Sequence, residues 1–72
     1  MNPTFEAYFT AEWDDSSSWY VLQGTGVWGN MLFFAYPEHV INEIQREISI
    51  AHPLIPEDAI GIHVEFQGGP FA

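Results

Sequence analysis

The sequence predicts an α+β fold, an antiparallel sheet of about four strands in the order β-β-β-α-β with one amphipathic helix packed on one face. Three observations predict it. Apolar and polar residues alternate with a period of two near both ends of the chain. Glycine-rich and polar clusters punctuate strand-length apolar runs. Between Pro37 and Ala51 the apolar residues recur at three- and four-residue steps, the spacing of one helix face.

Phe5, Ala7, Phe9, Ala11 and Trp13 alternate with Glu6, Tyr8, Thr10 and Glu12, which reads as a half-buried strand with one solvated face. Asp14, Asp15, Ser16, Ser17 and Ser18 form a polar turn, and Trp19 to Gln23 resumes as the second strand of a hairpin. Gly24 to Gly26 reads as a second tight turn, because glycine adopts the positive φ that short hairpin connections require. Val27 to Tyr36 is apolar on both sides, with Val27, Met31, Phe33 and Ala35 opposite Trp28, Leu32, Phe34 and Tyr36. It is either a central strand or one whose second face meets a partner.

Pro37 suits the first turn of a helix, where its missing N–H costs nothing. Val40, Ile41, Ile44, Ile48 and Ala51 form the expected apolar stripe, and the helix stops before Pro53. The stretch "PLIPEDA" leads to a last strand, in which Ile60, Ile62, Val64 and Phe66 alternate with Gly61, His63, Glu65 and Gln67. One helix covers one face of the sheet. The other face is then expected to carry Glu6, Tyr8, Thr10, Glu12, His63 and Glu65, with Asp14 and Asp15 extending the negative stripe to a hairpin tip.

A chain of 72 residues makes one domain, 1–72, and without cysteine its core alone must hold it. The supply is adequate, since 47% of residues are hydrophobic and 17% aromatic. No basic leader precedes the first apolar stretch, and no apolar run approaches the roughly 20 residues that span a bilayer. The expectation is a soluble cytoplasmic protein without membrane contact. Ten Asp or Glu residues face a single basic one, Arg46, for a formal net charge of −9. Such a field repels nucleic acid and attracts basic protein surfaces, so the expected partner is a protein.

The inventory for chemistry is thin. Gly24, Gly26 and Gly29 have the spacing G-x-G-x-x-G, but no helix opens from that loop and the chain has no lysine to meet a phosphate. His39 and Glu43 are four apart on the helix, yet zinc needs three or four ligands, so a surface pair is the simpler reading. Ser16 to Ser18 lack a positioned histidine. Glu12 with Asp14, and Glu57 with Asp58, read as surface charges. No catalytic residue, metal site or cofactor is expected, and the chain is not expected to be an enzyme.

What remains is binding. The candidate partner-binding residues are Glu6, Glu12, Asp14, Asp15, Trp28, Glu43, Glu47 and Glu65, acids on faces expected to be open with an aromatic anchor among them. Trp28 reads equally well as core. An alternative is a structural or assembly module that dimerises through an apolar face around Trp28, Leu32 and Phe34.

In type, this small acidic cysteine-free α+β chain, with carboxylates at Glu6, Glu12, Asp14, Asp15, Glu43, Glu47 and Glu65, resembles the small phage-encoded anti-CRISPR proteins. That resemblance implies a stoichiometric inhibitor, a DNA mimic occupying a basic nucleic-acid-binding surface of a CRISPR effector subunit in the host bacterial cytoplasm. The element order also resembles that of HicB-type antitoxin domains, which neutralise a small basic toxin, although "AYPEHVINEI" does not match their glycine and acidic pattern at the helix start.

Overall fold

The computed structural model describes residues 5–72, apart from the side chain of Glu57, whose expected surface charge lies outside the described residues. Strands β1 (Phe5–Asp14), β2 (Trp19–Gly24), β3 (Leu32–Ala35) and β4 (Ile60–Gln67) form one sheet in the spatial order β3-β2-β1-β4. Helix α1 (Val40–Ala51) lies between β3 and β4 in the chain. The fold is α+β with the expected element order, but the sheet is mixed rather than antiparallel. β1 pairs with β2 and β2 with β3 in antiparallel fashion, while β1 and β4 run parallel from Phe5↔Ile60 to Glu12↔Gln67.

Chain direction explains the parallel pair. Two hairpins return β3 to the direction of β1, and α1 carries the chain back before β4 begins. β4 therefore sets out in the direction of β1, and a crossover of this kind is what a parallel pair requires.

The β1–β2 hairpin closes as its residues dictate. The Asp14 carboxylate accepts hydrogen bonds from Ser16 N (3.1 Å) and Ser16 Oγ (2.7 Å), and Ser18 donates its N–H to the Asp14 carbonyl at 2.9 Å. Short polar side chains that bond the backbone two residues on are natural turn formers.

The segment expected as a long third strand is mostly something else. Gly26–Trp28 is a turn of 3₁₀ helix, and only Leu32–Ala35 pairs with β2. The cause lies in Gly24, where an added Cβ would collide with the Trp28 carbonyl. The bare glycine lets residues 25–31 fold back tightly, and Gly24 N–H reaches the Met31 carbonyl at 2.9 Å. The Gln23 side-chain amide clamps the same loop by donating to the Gly29 carbonyl at 2.8 Å. Trp28 turns into the core, and its indole N–H donates to the Glu6 carbonyl at 3.1 Å.

On the helix-covered face, Ala7, Phe9, Ala11, Tyr20, Leu22, Ala35 and Trp28 meet Val40, Ile44 and Ile48. The alanines of β1 leave room for the helix, and each buried aliphatic of α1 contributes about 1.5–3 kcal/mol. The stripe is narrower than expected: Ile41 and Ala51 are exposed. Ile41 lies about 100° round the helix from Val40, on the flank. Pro37–His39 forms a 3₁₀ turn ahead of α1, and the helix ends at His52, the residue before Pro53.

The segment after β4 closes the other part of this face. The Tyr20 hydroxyl donates to the Gly68 carbonyl and accepts from Phe71 N–H, both at 2.9 Å. Phe71 lies over Tyr20 and meets Phe66 edge-on, and Trp13 completes the aromatic cluster.

Candidate functional site

The face of the sheet away from α1 is the candidate site, and the strand registers place its residues. Along β1 the outward side chains are Glu6, Tyr8, Thr10 and Glu12, because Ala7, Phe9 and Ala11 are buried on the other side. The pairings Glu12↔Val21 and Val21↔Phe34 lay one row across the sheet from acid to aromatic. The next row runs Glu65, Thr10, Gln23, Leu32.

The face therefore has two halves. On β2 and β3 it is apolar: Phe34 and Leu32 are 54% and 60% exposed, and the Trp19 ring stacks on Phe34 at 4.9 Å between centroids. Tyr36 lies tilted against Trp19, with ring centroids 6.0 Å apart. The Trp19 indole N–H is buried with no acceptor among the described residues, a cost this aromatic cluster carries. On β1 and β4 the face is acidic and polar. Neighbouring strands lie about 4.8 Å apart, which puts Glu12 roughly 10 Å from Phe34.

Within the acidic half, His63 stacks on Tyr8 at 4.7 Å and its Nε2 lies 2.6 Å from Glu6 Oε2. Gly61 makes this arrangement possible, because a Cβ there would run into the Glu6 carboxylate. Tyr8, Thr10, Thr25, His63 and Glu65 border a shallow depression beside this cluster. Asp14 is held below the ordinary carboxylate value of 3.8, first by the Ser16 hydroxyl and further by Ser17 and the turn backbone. Its charge is committed to the turn.

The predicted partner-binding residues are thus divided. Glu6, Glu12 and Glu65 share the open face, and Asp15 sits at the hairpin tip, where it accepts from the Trp13 indole N–H at 3.2 Å. Glu43 and Glu47 belong to α1, on the opposite side of the sheet, with Glu43 paired to Arg46 at 3.7 Å. One flat partner surface cannot meet both groups. Trp28 is only 6% exposed and its ring is spent in the core, so the exposed aromatic role falls to other residues. Tyr20 is likewise buried, whereas Tyr8 and Tyr36 stand half-exposed.

Trp19 was missed by sequence reasoning. Its signal was the alternation of Trp19 and Val21 with the buried Tyr20 and Leu22, which places the first pair on the open face once the face of β2 is known. Of the apolar face expected around Trp28, Leu32 and Phe34, the latter two are exposed on β3, whereas Trp28 is not part of it.

Among the described residues, no three His, Asp or Glu side chains converge as metal ligands, and no helix is long and apolar enough to cross a membrane. Fold and face together define a small α+β domain with an amphipathic open sheet. No family model matches the chain, and neither does any curated protein or solved structure.

Proposed function

We propose that the protein is a non-catalytic inhibitor that docks its open sheet face on a basic protein surface used elsewhere to hold nucleic acid. This is the mode of action that resemblance to the small anti-CRISPR proteins implies, with a CRISPR effector subunit in a bacterial cytoplasm as the partner. The observation that carries the reading is the coexistence, on one uncovered face, of exposed Phe34 and Tyr36 packed on a half-buried Trp19 with acids (Glu12, Glu65), in a chain of net charge −9. Acid steers the encounter, and the aromatic half supplies the desolvated anchor that dominates binding energy.

Spacing refines the mode of inhibition. Glu6 and Glu12 lie six residues apart on β1, or about 20 Å, and Glu65 of β4, opposite Thr10, is the one acid of the face between them. A DNA strand presents a charge about every 3.4 Å of axis. Blocking a basic groove with an apolar anchor therefore fits this face better than copying phosphates one by one.

The test is competition. Purified basic effector complexes, loaded with labelled DNA, should release it as this protein is added, and less so as salt rises. Full DNA retention with the protein in excess overturns the reading. Tight binding to a small basic toxin, with effector complexes untouched, would replace it with the antitoxin-like alternative.

A further inference from the structure

β4 is an edge strand of eight residues, paired only with β1 among the described residues. An edge strand offers alternate N–H and C=O groups to any strand laid alongside it, and natural folds usually blunt such edges with lysine, proline or a bulge. β4 has no lysine, proline or bulge over Ile60–Gln67, its one charged side chain is Glu65, and its pairing with β1 runs unbroken along the whole strand. Its helix-side residues Ile60, Ile62, Val64 and Phe66 are only partly buried, a row of apolar side chains left half-covered along the free edge.

The side-chain pattern of β4 is self-complementary. Laid antiparallel on a second copy about Val64, the strand puts His63 opposite the Glu65 of that copy, and Glu65 opposite its His63. On the helix side, Ile62 meets Phe66 and Val64 meets Val64. A two-fold axis normal to the sheet keeps each residue on its own face, so the register can slip only by steps that change the central residue by one. Centring on His63 sets histidine against histidine and Glu65 against Gly61. Centring on Glu65 sets the two acids against each other. Only the Val64 register sets histidine against acid on the open face; centring on Phe66 sets Glu65 against Gln67 but pairs fewer residues of the strand, and centring on Ile62 leaves His63 opposite Gly61.

We infer that β4 is the site of a symmetric edge-to-edge dimer, with a second copy of this chain as the occupant and Val64 on the two-fold axis. The two sheets join into one of eight strands with both helices on the same side. His63 keeps Nε2 on Glu6 of its own chain, leaving Nδ1 to face the Glu65 carboxylate across the axis. Two chains of charge −9 repel at long range, so the dimer tightens as salt screens that repulsion. This is opposite in sign to the salt response of a basic partner, and the inference stands independently of the proposed inhibitor function.

Sedimentation velocity across a salt series tests it. The expected result is a monomer–dimer equilibrium that shifts toward dimer with salt. Glu65→His leaves the Glu6–His63 contact in place and sets like groups opposed twice across the axis, weakening the dimer about tenfold. His63→Glu weakens it similarly. Mixing the two variants restores pairing, because each then meets unlike residues, and heterodimer forms in preference to either homodimer. Circular dichroism checks that both variants fold, and the Glu65→His result alone suffices if His63→Glu does not. A monomer at every salt concentration at about 1 mM protein overturns the inference. So does a dimer indifferent to Glu65→His, or one abolished by Leu32→Ser, which would put the contact on the open face of β3.

Discussion

The Tyr20 hydroxyl holds the Phe71 backbone: it accepts the Phe71 N–H at 2.9 Å while donating to the Gly68 carbonyl, and the two rings lie nearly parallel, 5.8 Å apart. A residue in the middle of the sheet thereby pins the segment that follows β4. Tyr20→Phe keeps the ring and removes both hydrogen bonds. The expected cost is about 1–3 kcal/mol in urea unfolding, with faster hydrogen exchange at Phe71 and little change in α1.

Trp28 belongs to stability rather than to recognition. Trp28→Ala should cost about 3–5 kcal/mol, a large share of the stability of so small a domain, and Trp28→Phe less, through loss of the bond to the Glu6 carbonyl. Thermal unfolding gives both values. A Trp28→Phe protein that remains folded should bind a basic partner as well as the parent does.

The halves of the open face should separate kinetically. Glu12→Lys acts on the acidic half and should slow association and flatten its salt dependence. Phe34→Ala acts on the aromatic half and should speed dissociation, costing about 2 kcal/mol or more if Phe34 is a central anchor. Glu47→Lys, on the helix side, should change affinity far less than Glu12→Lys. Surface plasmon resonance on a partner from the competition assay reads all three.

Asp14 should leave a signature in the acid limb of stability. Its folded-state value is lowered, so the unfolded chain takes up this proton first as pH falls. The contribution is fully present above the ordinary value of 3.8 and is lost as pH drops through the lower folded value. Comparing urea midpoints of the parent and Asp14→Ala should show a constant difference near neutral pH that shrinks only below that point. A difference that instead vanished near pH 6 would show that another group is responsible.

Local pattern was enough for much of this molecule. Period-two alternation from Phe5 and from Ile60 named β1 and β4 and the faces of both, although Phe5 itself, at the start of β1, is exposed. The Asp–Ser cluster named the first turn, and the spacing of Val40, Ile44 and Ile48 named the helix and its buried stripe. These readings hold because each rests on geometry internal to one element, a two-residue pleat or a 3.6-residue turn.

Tertiary structure decided the remainder. The parallel pairing of β1 with β4 depends on where the crossover returns the chain. Trp28 sits in the core because Gly24 admits its backbone, an event between two segments whose separate patterns said only "turn" and "strand". The acids that composition counted together are divided between two sides of a sheet, and Trp19 joins Phe34 only through the register of β2 with β3. Charge and periodicity are sums along the chain, whereas a binding face is made by residues from different strands whose neighbours are chosen by packing.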